Sequence, residues 1–374
     1  MKLSAILGGV AAIAIAAPAS AAEWDVRVSG YGEYLVGVGI NDLDNVNGEQ
    51  LDGLDTKQDV EIHFRPSITL DNGLQFGANV QLEGNTTGDS IDESFLFVKG
   101  DFGEINLGSE NSAGYKMQVT APNVLFIDAA DLDYFTPFDG ATSFVNVGDD
   151  FSRNPMGETQ IENDRNNDAD RITYYTPRFA GFMLGLSYAR DGNQDNNTQV
   201  DVSSGSGTLH DIFDVGVQYR RAFGDVSVKA SGRWGIATRE SGTVGGASTS
   251  PQVWGAGLQV GFGGFTIGGS FAEQNESGTE DGIGYDFGIS YETGPIGISA
   301  MYHHGENVDD EQPFAGADEE IDLFLVGLDY KLAKGVNVNV FGGYASFSED
   351  QGDFGFGGDD ISGFSFGSGV KIKF

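Results

Sequence analysis

The sequence has no cysteine among its 374 residues. Disulfide bonds and thiolate metal sites are therefore excluded, and so is catalysis by a thiol nucleophile. The stability of the folded chain therefore does not come from disulfides.

Basic residues are scarce. Lysine and arginine number 20 against 56 aspartates and glutamates, which gives a formal net charge of −36. This balance excludes a protein that tracks nucleic-acid phosphates, because such a protein needs the opposite sign. It is compatible with a surface or channel that attracts cations.

Long apolar runs are confined to the N-terminus. Lys2 precedes an apolar run over residues 3–17, and Pro18 and a small-residue stretch follow. This order is typical of a secretory signal peptide, so we expect residues 1–21 to be removed and the mature chain to be 22–374. No later run is long enough for a transmembrane helix, so a membrane role would have to be built from strands.

Proline is also rare, with nine residues, whereas glycine (57) and aromatic residues (11%) are abundant. The segment 24–38 shows the pattern that fills most of the chain. Trp24, Val26 and Val28 share one parity, and Asp25 and Arg27 share the other. Such alternation with period two places the two sets on opposite faces of a β-strand.

About sixteen segments of this kind follow one another, the second from Val60 to Leu70. They are joined alternately by tight turns, the first of which is an Asn-Gly turn at 71–73, and by long polar loops. An even strand number with long loops at one end predicts a closed, all-β, antiparallel up-and-down barrel. A barrel of this size has a lumen too wide for side chains to fill. We therefore expect the polar faces to line a water-filled lumen and the apolar faces to contact lipid, as in a transmembrane barrel.

One long insertion, residues 111–169, interrupts the alternation. It begins with a mostly apolar run, 119–127, and then becomes acidic, with the group Asp128, Asp131, Asp133 and Asp139. A structureless stretch of this length in a compact domain is usually functional. We expect it to fold inward and narrow the pore; the alternative is a solvated external loop.

The sequence resembles the general porins of Gram-negative bacteria, most closely those of the alphaproteobacterial type. The similarity rests on the segment 28–32 after the signal peptide, on 94–109 directly before the insertion, on 171–182 directly after it, and on the terminal Phe374. It covers the whole mature chain.

The resemblance implies a sixteen-stranded homotrimeric barrel with its third external loop folded into the lumen. It also implies passive diffusion of small hydrophilic solutes and reading of Phe374 by the barrel-assembly machinery as an assembly signal. In this family basic wall residues face acidic loop residues across the constriction. Here the wall set would be Arg27, His63 and Arg65, which is poor in arginine.

No catalytic arrangement stands out, and we expect no enzyme. The G-x-S-x-G match at 363–367 lies inside the last predicted strand, whereas a hydrolase nucleophile needs a strand-to-helix turn. The histidines lack ligand spacing. The segment 191–197 resembles a calcium loop but has Asn196 and Val202 where an EF-hand requires glycine and glutamate. We expect no cofactor, with calcium or magnesium at acidic external loops left open.

These features favour an outer-membrane porin, weakly cation-selective, that contacts outer-membrane lipids and lipopolysaccharide. Two alternatives stay open. One is a substrate-specific outer-membrane channel, and the other is a barrel adhesin without a transport role.

Overall fold

The computed structural model describes residues 23–41, 53–84, 90–126, 168–192, 209–239, 250–275, 282–308, 318–349 and 361–374. These residues form sixteen β-strands and one short helix. The strands are β1 (Trp24–Asn41), β2 (Gly53–Thr69), β3 (Gln75–Glu83), β4 (Ile91–Gly100), β5 (Gly103–Ser109), β6 (Asp170–Tyr175), β7 (Phe182–Asp191), β8 (Leu209–Phe223), β9 (Val226–Arg239), β10 (Gln252–Phe262), β11 (Phe265–Asn275), β12 (Gly282–Thr293), β13 (Ile296–Val308), β14 (Asp318–Ala333), β15 (Val336–Glu349) and β16 (Ile361–Lys373).

Each strand pairs antiparallel with its neighbours in sequence, and β1 pairs with β16 to close the barrel. In this closing ladder Tyr31 lies opposite Lys373 and Tyr34 opposite Val370. Closure leaves the sheet without an edge, so that backbone groups along the strands are paired even where no water is present. The predicted barrel of about sixteen strands is confirmed.

Tight turns join the strands at one end of the barrel. At the first of them Leu70 N–H donates to Leu74 O at 2.8 Å, and Gly73 adopts a φ of 82°. Only glycine takes this left-handed conformation without strain, which explains the predicted Asn-Gly turn. We call this end the short-turn end and the opposite one the long-loop end.

The outer wall is apolar. On β1, for example, Trp24, Val26 and Val28 are 55–61% exposed, whereas Glu33 on the other parity is 7% exposed. From β7 to β16 every strand carries an aromatic side chain on its outer face near the long-loop end. They are Tyr188, Phe213, Trp234, Trp254, Phe271, Tyr285, Tyr302, Phe324, Tyr344 and Phe364.

Several neighbours in this row are in ring contact. The ring centroids of Tyr302 and Phe324 lie 4.6 Å apart, and those of Tyr344 and Phe364 lie 4.9 Å apart. A second, sparser set of exposed aromatics that includes Phe182, Phe265 and Phe374 lies near the short-turn end. An apolar wall between two aromatic girdles is typical of a barrel that spans a membrane.

The helix α1 (Ala113–Lys116) is the one element that the strand pattern did not predict. It makes a single turn after β5, with Ser112 as its N-cap. Within the described residues, no helix has the length and apolar character needed to cross a membrane.

Candidate functional site: the polar lumen

The polar parity of β2 faces the lumen and carries a connected row of charged side chains. Arg65 Nε donates to Asn79 Oδ1 at 2.6 Å, and Arg65 Nη2 lies 2.7 Å from His63 Nδ1. His63 Nε2 in turn lies 2.9 Å from Glu61 Oε1. If the guanidinium donates to Nδ1, the imidazole proton sits on Nε2.

Arg27 lies on the same face, directly opposite Arg65 in the β1–β2 ladder. Its guanidinium pairs with Asp25 at 2.7 Å, and the side chain is 77% exposed. The structure thus brings Arg27, His63 and Arg65 together on the lumen wall near the short-turn end. Their effect on permeation stays a prediction.

The insertion after β5 begins with a buried ionic clamp. Lys116 Nζ lies 2.6 Å from Glu93 Oε1 and 2.8 Å from Glu110 Oε2, and the Glu110 side chain is fully buried. Burial alone would lower the pKa of Lys116, but the charges of Glu110 and Glu93 outweigh it and raise that pKa above its usual value. The lysine therefore stays charged.

Helix α1 then docks on strands β7 to β9. Ala113 N–H donates to Ser187 Oγ at 3.1 Å, and Gly114 N–H donates to Asp214 Oδ1. The other oxygen of Asp214 forms an ion pair with Arg233 at 2.6 Å, and both side chains are at most 2% exposed. One carboxylate thus fixes both a wall arginine and the first turn of the insertion.

The chain continues along the lumen wall as far as β16. We call residues 113–126 the inner segment. Four of its later backbone N–H groups donate to wall side chains: Val119 to Ser231 Oγ at 2.9 Å, Ala121 to Asp286 Oδ1 at 2.8 Å, Val124 to Ser299 Oγ at 3.2 Å and Phe126 to Asn339 Oδ1 at 2.9 Å. These acceptors lie on β9, β12, β13 and β15. With the contacts of helix α1 on β7 and β8, the contact extends over nine of the sixteen strands.

Small residues on the wall leave room for this segment. The carbonyl of Val119 occupies the space where a side chain at Gly257 would begin, and Leu125 fills the corresponding space at Gly327. A β-carbon at Gly288 would meet the Ala121 side chain at 3.1 Å. The glycines therefore form a track in the lumen wall that follows the course of the inner segment.

At the far end of this track Phe126 meets Lys371. The ammonium lies 5.8 Å from the Phe126 ring centroid and 4.6 Å from that of Tyr31. It also forms an ion pair with Glu33. The inner segment therefore covers the wall from β7 to β16, and the faces of β2 to β4 stay on the other side of the lumen.

The acidic residues expected at a constriction, Asp128, Asp131, Asp133 and Asp139, lie outside the described residues. Phe374 ends the closing ladder, where its backbone N–H and carbonyl both bond to Gly30 at 3.1 Å. Its ring is exposed on the outer wall. A role as an assembly signal stays a prediction.

Among the described residues, one carboxylate group could hold a cation. Oxygens of Glu61, Glu83 and Asp92 lie within 4.8 Å of one another near the long-loop end. Clustered carboxylates are common on acidic proteins without an ion, and His63 already neighbours Glu61. We therefore do not infer a metal site from these three carboxylates.

Sequence reasoning missed the wall residues that accept these backbone hydrogen bonds. Ser187, Ser231 and Ser299 read as ordinary polar positions of alternating strands. The sequence did contain a sign of this contact, because many lumen-facing positions of β7 to β16 are serine or glycine. These positions can be recognised as one surface only when the register of every strand is known.

A closed barrel with an apolar wall and a polar lumen partly lined by an insertion defines an outer-membrane channel. Comparison with known proteins agrees: the profile of the Gram-negative porins matches residues 9–351. The chain belongs to the Gram-negative porin family. It is therefore an outer-membrane β-barrel of the porin type.

An outer membrane porin protein of Bordetella pertussis is 23% identical over 408 residues, covering 98% of this chain and 99% of the relative. The anion-selective porin from Comamonas acidovorans superposes with a TM-score of 0.59 at 20% identity, covering 94% of this chain and 100% of that one. The trimer form of OmpT from Vibrio cholerae gives a TM-score of 0.58 at 16% identity, covering 93% and 99%. At these identities the structural likeness concerns the fold.

Proposed function

We propose that the protein is a general diffusion porin: a homotrimer whose water-filled pores pass ions and small hydrophilic solutes with weak selectivity for cations. The observation that carries this proposal is the course of the inner segment, whose backbone is bonded to the lumen wall from β7 to β15. The inner segment, held in this way, lines one side of the lumen wall. We propose that the open path runs along the faces of β2 to β4 on the other side.

Selectivity in such a path depends on the charges around it. Asp55, Asp59 and Glu61 lie on the lumen face of β2 in its long-loop half. The insertion adds Asp128, Asp131, Asp133 and Asp139, which we propose face Arg27, His63 and Arg65 across a constriction. A low-dielectric wall focuses the field of these carboxylates, so cations should enter more readily than anions of equal size.

The selectivity of the Comamonas acidovorans relative is opposite, since its name describes it as anion-selective. A similar fold does not imply the same ion selectivity, because selectivity depends on a few side chains in the lumen. The charge of −36 on this chain is the observation that favours cations.

The experiment is a planar-bilayer measurement of the triple variant D128N/D131N/D133N in a potassium chloride gradient. We expect its reversal potential to move toward zero while the channel still conducts. The matched control is D71N/D101N/D225N, which removes the same number of carboxylates from the short turns. An equal shift in both triple variants would contradict a constriction formed by the insertion.

The residues of the outer wall support the proposal of a trimer. The aromatic row near the long-loop end is continuous from β7 to β16, but on the outer face of β2 to β6 the corresponding half carries aliphatic residues such as Val60, Leu82, Leu107 and Ile172. Aromatic girdles lie at lipid headgroups. We propose that β2 to β6 face neighbouring protomers and not lipid.

A further inference from the structure

Three cationic side chains adjoin one another on the lumen side of the short-turn end. Arg220 of β8 lies opposite Lys229 of β9, on the parity that faces the lumen. Arg178 precedes β7 and approaches Arg220, because Gly181 O accepts from Arg178 Nη1 at 2.8 Å and from Arg220 N–H at 2.9 Å. We call these three residues the basic rim cluster.

The cluster differs from the other cations of the lumen, most of which pair with a carboxylate. Those ion pairs are Arg27–Asp25, Lys57–Asp55, Lys99–Glu104, Lys116–Glu110, Arg233–Asp214, Lys331–Glu292 and Lys371–Glu33. Within the described part of the chain, Arg178, Arg220 and Lys229 form no ion pair. In a chain with nearly three times as many acidic as basic residues, three adjoining cations without a carboxylate stand out.

Like charges directly opposite each other on one face of a sheet destabilise it. Arg220 and Lys229 have this relationship, and both side chains are exposed to the solvent of the lumen mouth. Partial burial lowers the pKa of Arg178, and the positive charge of Arg220 lowers it further. An anion bound among the three would remove this repulsion.

One member of the cluster is also held in place. Arg178 Nη2 donates to Gln218 Oε1 at 2.8 Å, and Gln218 Nε2 donates to Met117 O at 3.0 Å. Gln218 is 2% exposed. The guanidinium of Arg178 is therefore fixed, through a buried amide, to the inner segment.

We propose that Arg178, Arg220 and Lys229 form a binding site for small, multiply charged oxyanions at the periplasmic mouth of the channel. Guanidinium groups and an ammonium group match the oxygens of phosphate or of a polycarboxylate, to which they donate charge-assisted hydrogen bonds. Short turns of such barrels face the periplasm, so the ligand would come from that compartment.

The ligand is a soluble anion rather than a lipid headgroup, because the cluster faces the lumen. The adjacent Arg221 has the opposite parity and lies 5.2 Å from the Phe223 ring centroid on the outer wall. The phosphate of a membrane lipid would contact Arg221 on the outer wall and not Arg220 in the lumen.

The test is titration of tripolyphosphate into the purified, detergent-solubilised protein, followed by calorimetry and by phosphorus NMR line broadening. We expect binding by the unchanged protein and roughly tenfold weaker binding by K229Q and by R220Q, which is the loss of about one charge-assisted hydrogen bond. K334Q is the matched control, because Lys334 is exposed in the turn before β15 at the same end of the barrel. Lack of binding by the unchanged protein, or equal weakening in K334Q, would overturn the proposal.

Two further measurements separate the site from its alternatives. In bilayers we expect tripolyphosphate to reduce the conductance from the short-turn side only, and K229Q to abolish that reduction. Because the titration does not depend on conduction, it tests the site even if the proposed channel activity fails. Retention of phosphatidylglycerol that R221Q abolishes and K229Q does not, without any binding of tripolyphosphate, would instead place the anion site on the outer wall and overturn the proposal.

Discussion

The carbonyl oxygen of Val119 lies against the bare α-carbon of Gly257, where no β-carbon could fit. The N–H of the same residue donates to Ser231 Oγ on the neighbouring strand at 2.9 Å. The lumen wall is thus complementary in shape to the backbone of the inner segment. We conclude that the described part of the insertion is a fixed component of the lumen.

Gly257→Ala tests this fit. Overpacking a close contact costs about 1–3 kcal/mol. We expect the inner segment to detach from the wall while the barrel stays folded. Trypsin should then cleave after Lys116, which the clamp protects in the unchanged protein, as peptide mass spectrometry would show. Gly232→Ala is the control, because the nearest atom to a β-carbon there is 3.9 Å away. Protection of Lys116 in G257A would contradict the account.

Asp214→Asn tests the anchor of helix α1. The change leaves Arg233 as a buried charge without its partner, which typically costs about 3–5 kcal/mol. We expect urea unfolding in lipid vesicles to shift to lower denaturant. Asp25→Asn breaks the exposed pair with Arg27 and should leave the midpoint almost unchanged, since both of its side chains are more than half exposed. Similar shifts in the two variants would show that the buried pair is not an anchor.

The clamp around Lys116 predicts a dependence on alkaline pH. The folded-state pKa of Lys116 is raised, so its stabilising effect is complete below the ordinary value of 10.5 and declines as pH rises through the higher folded value. Lys116→Met leaves Glu93 and Glu110 buried without a cation and should be less stable at pH 7. We expect the difference in stability between the unchanged protein and Lys116→Met to narrow above pH 10.5. Unfolding midpoints that stay equally far apart up to the alkaline limit would contradict the prediction.

The proposed trimer contact can be tested by spin labelling, because the chain has no cysteine of its own. Leu96→Cys on β4 lies within the aliphatic stretch of the outer wall, and Ile289→Cys on β12 lies on the opposite side of the barrel. In detergent-solubilised trimers the distances between labels should be short for L96C and long for I289C. The reverse order would place the interface elsewhere.

The sequence was enough to predict the strands and the closure of the barrel, because alternation and turn chemistry are local. The Asn-Gly turn after β2 and the alternation of β1 are examples. Strand β2 begins at Gly53, seven residues before the predicted start at Val60. The polar residues between them look like a loop in sequence, but they belong to the strand, and Asp55 and Lys57 lie on its lumen face.

The candidate site was predictable only in part. Arg27, His63 and Arg65 were placed on one face by parity, and the structure agrees. The wall partners of the inner segment were not predictable, because Ser231 and Asn339 are more than 100 residues from the backbone groups they bind. Such contacts depend on the register of many strands, which no local pattern specifies.

The most direct test of the account is the reversal potential of the purified mature protein in a planar bilayer under a potassium chloride gradient. We expect conductance that rises in steps of three and a reversal potential that favours potassium over chloride. This result would support a trimeric, cation-preferring diffusion porin. A potential that favours chloride would contradict the selectivity, and correctly folded protein without conductance would contradict the channel itself.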